Sequence, residues 1–78
     1  MQLNITKHAR DRFVDRGVTD EDVENAMLHY HTTYPTPKPS VCFEGPGLNG
    51  DTLRIWCPPD EAGPEEFTIK SVAWKGVD

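Results

Sequence analysis

His8, Arg12 and Arg16 are the residues of this chain whose types and spacing best suit chemistry. On a helix of about 3.6 residues per turn, positions four apart stack one above another, so one imidazole and two guanidiniums share a face. An imidazole moves protons near neutral pH. Planar guanidinium forks grip carboxylates and phosphates through paired hydrogen bonds. Like charges at i, i+4 cost about a few tenths of a kcal/mol per pair, so the stripe predicts an anionic partner. That partner is either internal, one of the 13 Asp and Glu residues such as Asp15, Asp20 or Glu44, or a bound anion.

The elements that would carry this stripe are legible from their ends. Thr6 caps a first helix over about residues 6–16, with Ala9 and Phe13 as its buried edge. Gly17 supplies the left-handed residue that ends it, and Arg16 faces the negative end of its dipole. Thr19 starts a second helix over about 19–31, with Asp22 as an aspartate variant of the capping box. Val23, Ala26, Met27 and Tyr30 give that helix one apolar face.

From Tyr34 the texture changes. Pro35, Pro37 and Pro39 rule out helix and make residues 34–40 an extended connector. Two β-runs follow, at 41–45 and 52–57, flanking a Gly-rich stretch in which Asn49-Gly50 is a hairpin turn signal. A two-residue turn there would set Cys42 opposite Cys57 but place Pro46 on the hydrogen-bonded ladder, so a bulge or wider loop is expected. Residues 58–64 read as a solvated loop. A third strand spans about 67–75; its alternation breaks near Ser71, where Phe67 and Ile69 point one way and Val72 and Trp74 the other, which implies a bulge or two-sided burial.

The chain has 78 residues, room for one domain spanning 1–78, and a net charge of −5. The charge is uneven: residues 1–17 carry four Lys and Arg against two acids, whereas residues 18–31 carry four acids and no Lys or Arg. Any phosphate recognition must therefore be local to the basic stripe. No stretch has the length of a membrane span or the apolar core of a secretory signal, so a cytoplasmic protein without membrane contact is expected. In that compartment Cys42 and Cys57 would be buried free thiols. His29 and His31, two positions apart, cannot face each other on a helix, and neither a metal site nor a cofactor is expected. Trp56, Trp74 and Phe43 read either as core or as platforms for stacking bases.

The run His8-Ala9-x-x-Arg12-Phe13-x-x-Arg16-Gly17-Val18, followed by a capped acidic helix, resembles the domain-of-unknown-function 4258 family. That family is commonly placed near the RelE- and BrnT-type toxins, small α+β endoribonucleases. The resemblance implies a RelE-like fold and an RNA-cleaving or RNA-binding site built on His8, Arg12 and Arg16. Metal-independent RNA cleavage needs a base for the ribose 2′-hydroxyl, cations for the phosphate oxygens and an acid for the leaving oxygen. His8 suits the base; Arg12 and Arg16 suit the phosphate. Lys70, Lys75 or Tyr30 could supply the acid if the fold brings one close.

The expectation is thus an α+β domain, two N-terminal helices on a three- to four-stranded antiparallel sheet of RelE-like shape. Functionally it reads as a toxin-like endoribonuclease, with His8, Arg12 and Arg16 catalytic and Arg12, Arg16, Arg54, Lys70 and Lys75 binding RNA. The alternative is a non-enzymatic interaction protein, such as a phage- or mobile-element-encoded inhibitor or an antitoxin-like binder. Candidate partners are RNA, an antitoxin or host protein, and a second copy of the chain.

Overall fold

The computed structural model describes residues 2–37, 39–59 and 66–76. Most of the loop expected at 58–64 lies outside them. The fold is α+β: two helices, a four-stranded antiparallel sheet and a separate parallel pair of strands. A strand absent from the sequence reading, β1 (Gln2–Ile5), precedes both helices and pairs in parallel with β5 (Glu66–Ile69).

Helix α1 (Lys7–Arg16) begins where expected. The Thr6 side chain accepts a hydrogen bond from the Ala9 N–H at 3.1 Å, filling one of the donor positions a helix start leaves open. The same hydroxyl donates to the Ile69 carbonyl at 3.1 Å, fastening the helix start to β5. Gly17 ends α1 at φ 64°, a conformation that imposes a steric penalty on any residue with a side chain. Its N–H and that of Val18 return to the Val14 and Phe13 carbonyls.

Helix α2 (Asp20–Leu28) opens on the full capping box between Thr19 and Asp22. Asp22 also accepts the Leu48 N–H at 2.9 Å, so the helix start holds the loop at 47–51. The helix stops three residues short of the expected 31, with His29 as its cap. Tyr30, expected on the buried face, is instead 46% exposed and stands edge-on to Phe43. The helix can approach the sheet closely because position 45 is glycine. A Cβ there would lie 2.3 Å from the Ala26 carbonyl oxygen.

The large sheet runs β2 (Thr32–Thr36), β3 (Ser40–Pro46), β4 (Thr52–Cys57), β6 (Ser71–Trp74). The proline-rich connector is therefore partly an edge strand, a place where Pro35 can sit without costing an interior ladder bond. The β3–β4 connection is the wider loop, with Pro46 paired to Thr52 and residues 47–51 turning between them. This register sets Cys42 beside Trp56 and Val41 beside Cys57. The two cysteines therefore lie on opposite faces, both buried and both free thiols.

The single third strand expected at 67–75 is two strands, β5 and β6, interrupted at Lys70. The break in alternation marks a change of sheet: β5 pairs with β1, and β6 with β4. On one face of the large sheet Leu53, Ile55, Cys57 and Val72 join Ala9, Phe13, Val23, Ala26 and Met27 in the core. Helix α1 packs beside β6, and α2 lies on β3 and β4. The other face carries two rows across the strands, Cys42–Trp56–Ser71 and Glu44–Arg54–Ala73.

Candidate functional site

A cleft of about 570 Å³ opens where β4 ends and β6 begins. Trp56, Ser71 and Ala73 contribute from β4 and β6, Thr36 and Ser40 from the paired ends of β2 and β3, and Pro37 from just beyond β2. His8 and Arg16 reach it from α1, and Lys70 from the break between the two sheets. Seven of these residues come from parts of the chain far from the helical stripe. No carboxylate is among the described residues lining it.

The cations here are positioned by neutral groups. Arg16 donates through Nη1 to the Val72 carbonyl at 2.7 Å, while its own carbonyl accepts the Trp74 indole N–H at 2.8 Å. The last turn of α1 is thereby tied to β6. Lys70 Nζ donates to the Ser40 hydroxyl at 2.9 Å, and Ser40 is buried. Because the partners of these cations among the described residues are a carbonyl and a hydroxyl, which orient them without cancelling their charge, the described lining of the cleft has a positive character inside an acidic chain.

The other expected site residues are placed elsewhere. Arg12 lies between His8 and Arg16 on α1 but turns to Asp15, three residues on, at 2.7 Å. Arg54 and Lys75 both serve Glu44, at 3.4 and 2.9 Å. Glu44 is buried and also accepts the Tyr34 hydroxyl at 2.5 Å. The Tyr34 and Lys75 hydrogen bonds hold its carboxyl below the usual carboxylate range against the opposing effect of burial. The Cys42 sulfur and the Glu44 carboxylate push the Tyr34 phenol well above its ordinary value. Burial raises the Cys42 thiol.

Of the three candidate acids, Lys70 shares the cleft with His8, Lys75 is held by Glu44, and Tyr30 packs against Phe43. Sequence reasoning did not find Ser40, Ser71 or Thr36, and no motif marks them. It did not choose among the aromatics either. Phe43 and Trp74 pack against the core, whereas Trp56 faces the cleft. His29 caps α2 and the His31 N–H donates to the Glu44 carbonyl. Among the described residues no three His, Cys, Asp or Glu side chains converge on a point where a metal ion could be held.

The sequence model of a family described as Domain of unknown function (DUF4258) matches residues 5–74. The chain belongs to that family. The match spans both helices and every cleft residue of the DUF4258 domain, and ends one position before Lys75. No curated protein and no solved structure matched significantly. No helix among the described residues is long and apolar enough to cross a membrane.

Proposed function

We propose that this DUF4258 domain is a toxin-like endoribonuclease that cuts RNA in the His8–Arg16–Lys70 cleft without needing a metal. The observation that carries this reading is the pooling of three nitrogen bases and cations in one cleft that has no carboxylate among its described lining residues, in a chain with net charge −5. His8 takes the proton from a ribose 2′-hydroxyl as that oxygen attacks the adjoining phosphorus. Arg16, held by Val72, stabilises charge on the non-bridging oxygens. Lys70 protonates the departing 5′-oxygen, leaving a 2′,3′-cyclic phosphate on one product and a free 5′-hydroxyl on the other. Two helices beside an antiparallel sheet, with the cleft at one end of that sheet, support a RelE-like shape.

The test is RNA cleavage by the wild type and His8→Ala. The variant should lose turnover by about 10²-fold or more while keeping its RNA affinity. An unchanged rate removes His8 from the mechanism. The competing reading, a non-enzymatic binder acting through protein–protein contacts, draws support from β2, an edge strand exposed along its first four residues. It requires that the wild type neither bind nor cut RNA, and that an antitoxin or host protein pair with that edge.

A further inference from the structure

Six of the seven aromatic side chains have work inside the molecule. Phe13 is in the core, with Phe43, Phe67 and Trp74 packed against it. Tyr30 stands edge-on to Phe43, and Tyr34 is bonded to Glu44. Trp56 differs. It lies on the sheet face opposite the core, in the cleft, between the Cys42 and Ser71 positions of its neighbouring strands. A large indole kept off the core of so small a domain forgoes burial that the core could use.

Around it stand the groups that would meet a sugar–phosphate chain. Ser71 is its register partner on β6, and Lys70 adjoins Ser71 in the chain. The Lys70 N–H donates to the Trp56 carbonyl at 2.8 Å, so the cation and the indole are fixed to each other through the backbone. An aromatic face flanked by cations accepts a base that has left its helical stack, because every base has a π-face to offer and its phosphate follows at a set distance. In a duplex that face is already covered by the neighbouring base pair. The volume, about 570 Å³, falls within the range of small-ligand pockets, enough for a splayed-out nucleotide.

We infer that Trp56 is a base-stacking platform that makes unpaired RNA the substrate class of this cleft, one base lying on the indole while Arg16 and Lys70 hold the adjoining phosphate. The inference rests on the ribonuclease reading and names its substrate. Trp56 is thus a positioning residue for the reaction rather than a participant in proton transfer.

The experiment uses a fluorescently labelled single-stranded oligonucleotide whose 2′-oxygens are methylated, so that it is bound and not cut, and the same strand in a duplex. Anisotropy titrations are run on the wild type, Trp56→Leu and Trp56→Phe. The wild type should prefer the single strand by about 10-fold or more, Trp56→Leu should lose about 10-fold in affinity for it, and Trp56→Phe should stay within about 3-fold. Binding should also quench the wild-type tryptophan emission, and Trp56→Phe should lose that quenching while keeping its affinity, which preserves the test if Trp56→Leu does not fold. Equal affinity for strand and duplex, or full affinity in Trp56→Leu, overturns the inference; His8-dependent cutting of RNA in that case leaves the ribonuclease reading standing. No binding of either probe overturns both.

Discussion

Lys70 and Lys75 look alike in the sequence, two lysines near the C-terminus, yet their partners give them opposite roles. Lys75 ends on a buried carboxylate, Lys70 on a hydroxyl. Lys75→Ala should cost about 0.5–1 kcal/mol of stability, since the pair is half exposed on the lysine side, and should leave the salt dependence of RNA binding unchanged. Lys70→Ala should leave stability nearly unchanged and flatten the slope of log K against log salt by about 0.7, the share of a single phosphate that a cation neutralises on an unpaired strand. A denaturant titration and a salt series on both variants separate the two. Glu44→Ala should be the most damaging change of this network, about 2–4 kcal/mol. It leaves the Tyr34 hydroxyl and Lys75 without their acceptor and Arg54 without its ion-pair partner.

At the scale of elements, the packing of α2 against the sheet depends on one missing side chain. Gly45→Ala drives a methyl into the Ala26 carbonyl and toward the Tyr30 backbone, neither of which can swing aside as a flexible side chain would. The expected loss is about 1–3 kcal/mol in a chemical melt, with α2 displaced from β3. Gly17→Ala, where the space is open but φ is 64°, should cost only about 1 kcal/mol. The helix ends and the glycine stop were legible because capping is decided within four residues. Thr6, Gly17, Thr19 and Asp22 each announce themselves locally. The pairing of β1 with β5 was not, because Gln2 meets Glu66 across nearly the whole chain and four residues of mixed character carry no strand signal. The site was half legible. His8 and Arg16 could be placed on one face from spacing alone. The facing of Trp56, however, depends on a register that the five-residue 47–51 loop sets, and a tight turn at Asn49-Gly50 would have paired Cys42 with Cys57 instead. Arg12 shares that helix face, but Asp15 lies one turn away and captures it.

For the molecule as a whole, acid stability follows from the two buried carboxylates among the described residues, Asp22 and Glu44. Burial works against ionisation of Asp22, but hydrogen bonds from the Leu48 N–H and from the N–H and hydroxyl of Thr19 outweigh it. Glu44 is held down by Tyr34 and Lys75. In the unfolded chain both groups take up protons near pH ~4, whereas the native state resists protonation until lower pH. Stability is therefore fully present above that range and drains away as pH falls through the depressed native values. Thermal melts should be level from about pH 7 to 5 and fall below about pH 4, with a shallower fall in Glu44→Gln; a melting temperature that rises on acidification would contradict the assignment. The Thr6 cap has a further effect on the whole chain. Its hydroxyl reaches Ile69, 63 positions away, with His8 two residues beyond one end of the bond and Lys70 one residue beyond the other. The spacing of His8 from Lys70 is thus measured out over three residues of backbone and the two hydrogen bonds from the Thr6 hydroxyl and N–H to the Ile69 carbonyl, not over the intervening chain. Insertions or deletions in the loop at 47–51 leave that spacing untouched, whereas one residue added between Thr6 and His8 rotates the imidazole by about 100° around the helix and changes where it stands relative to Lys70.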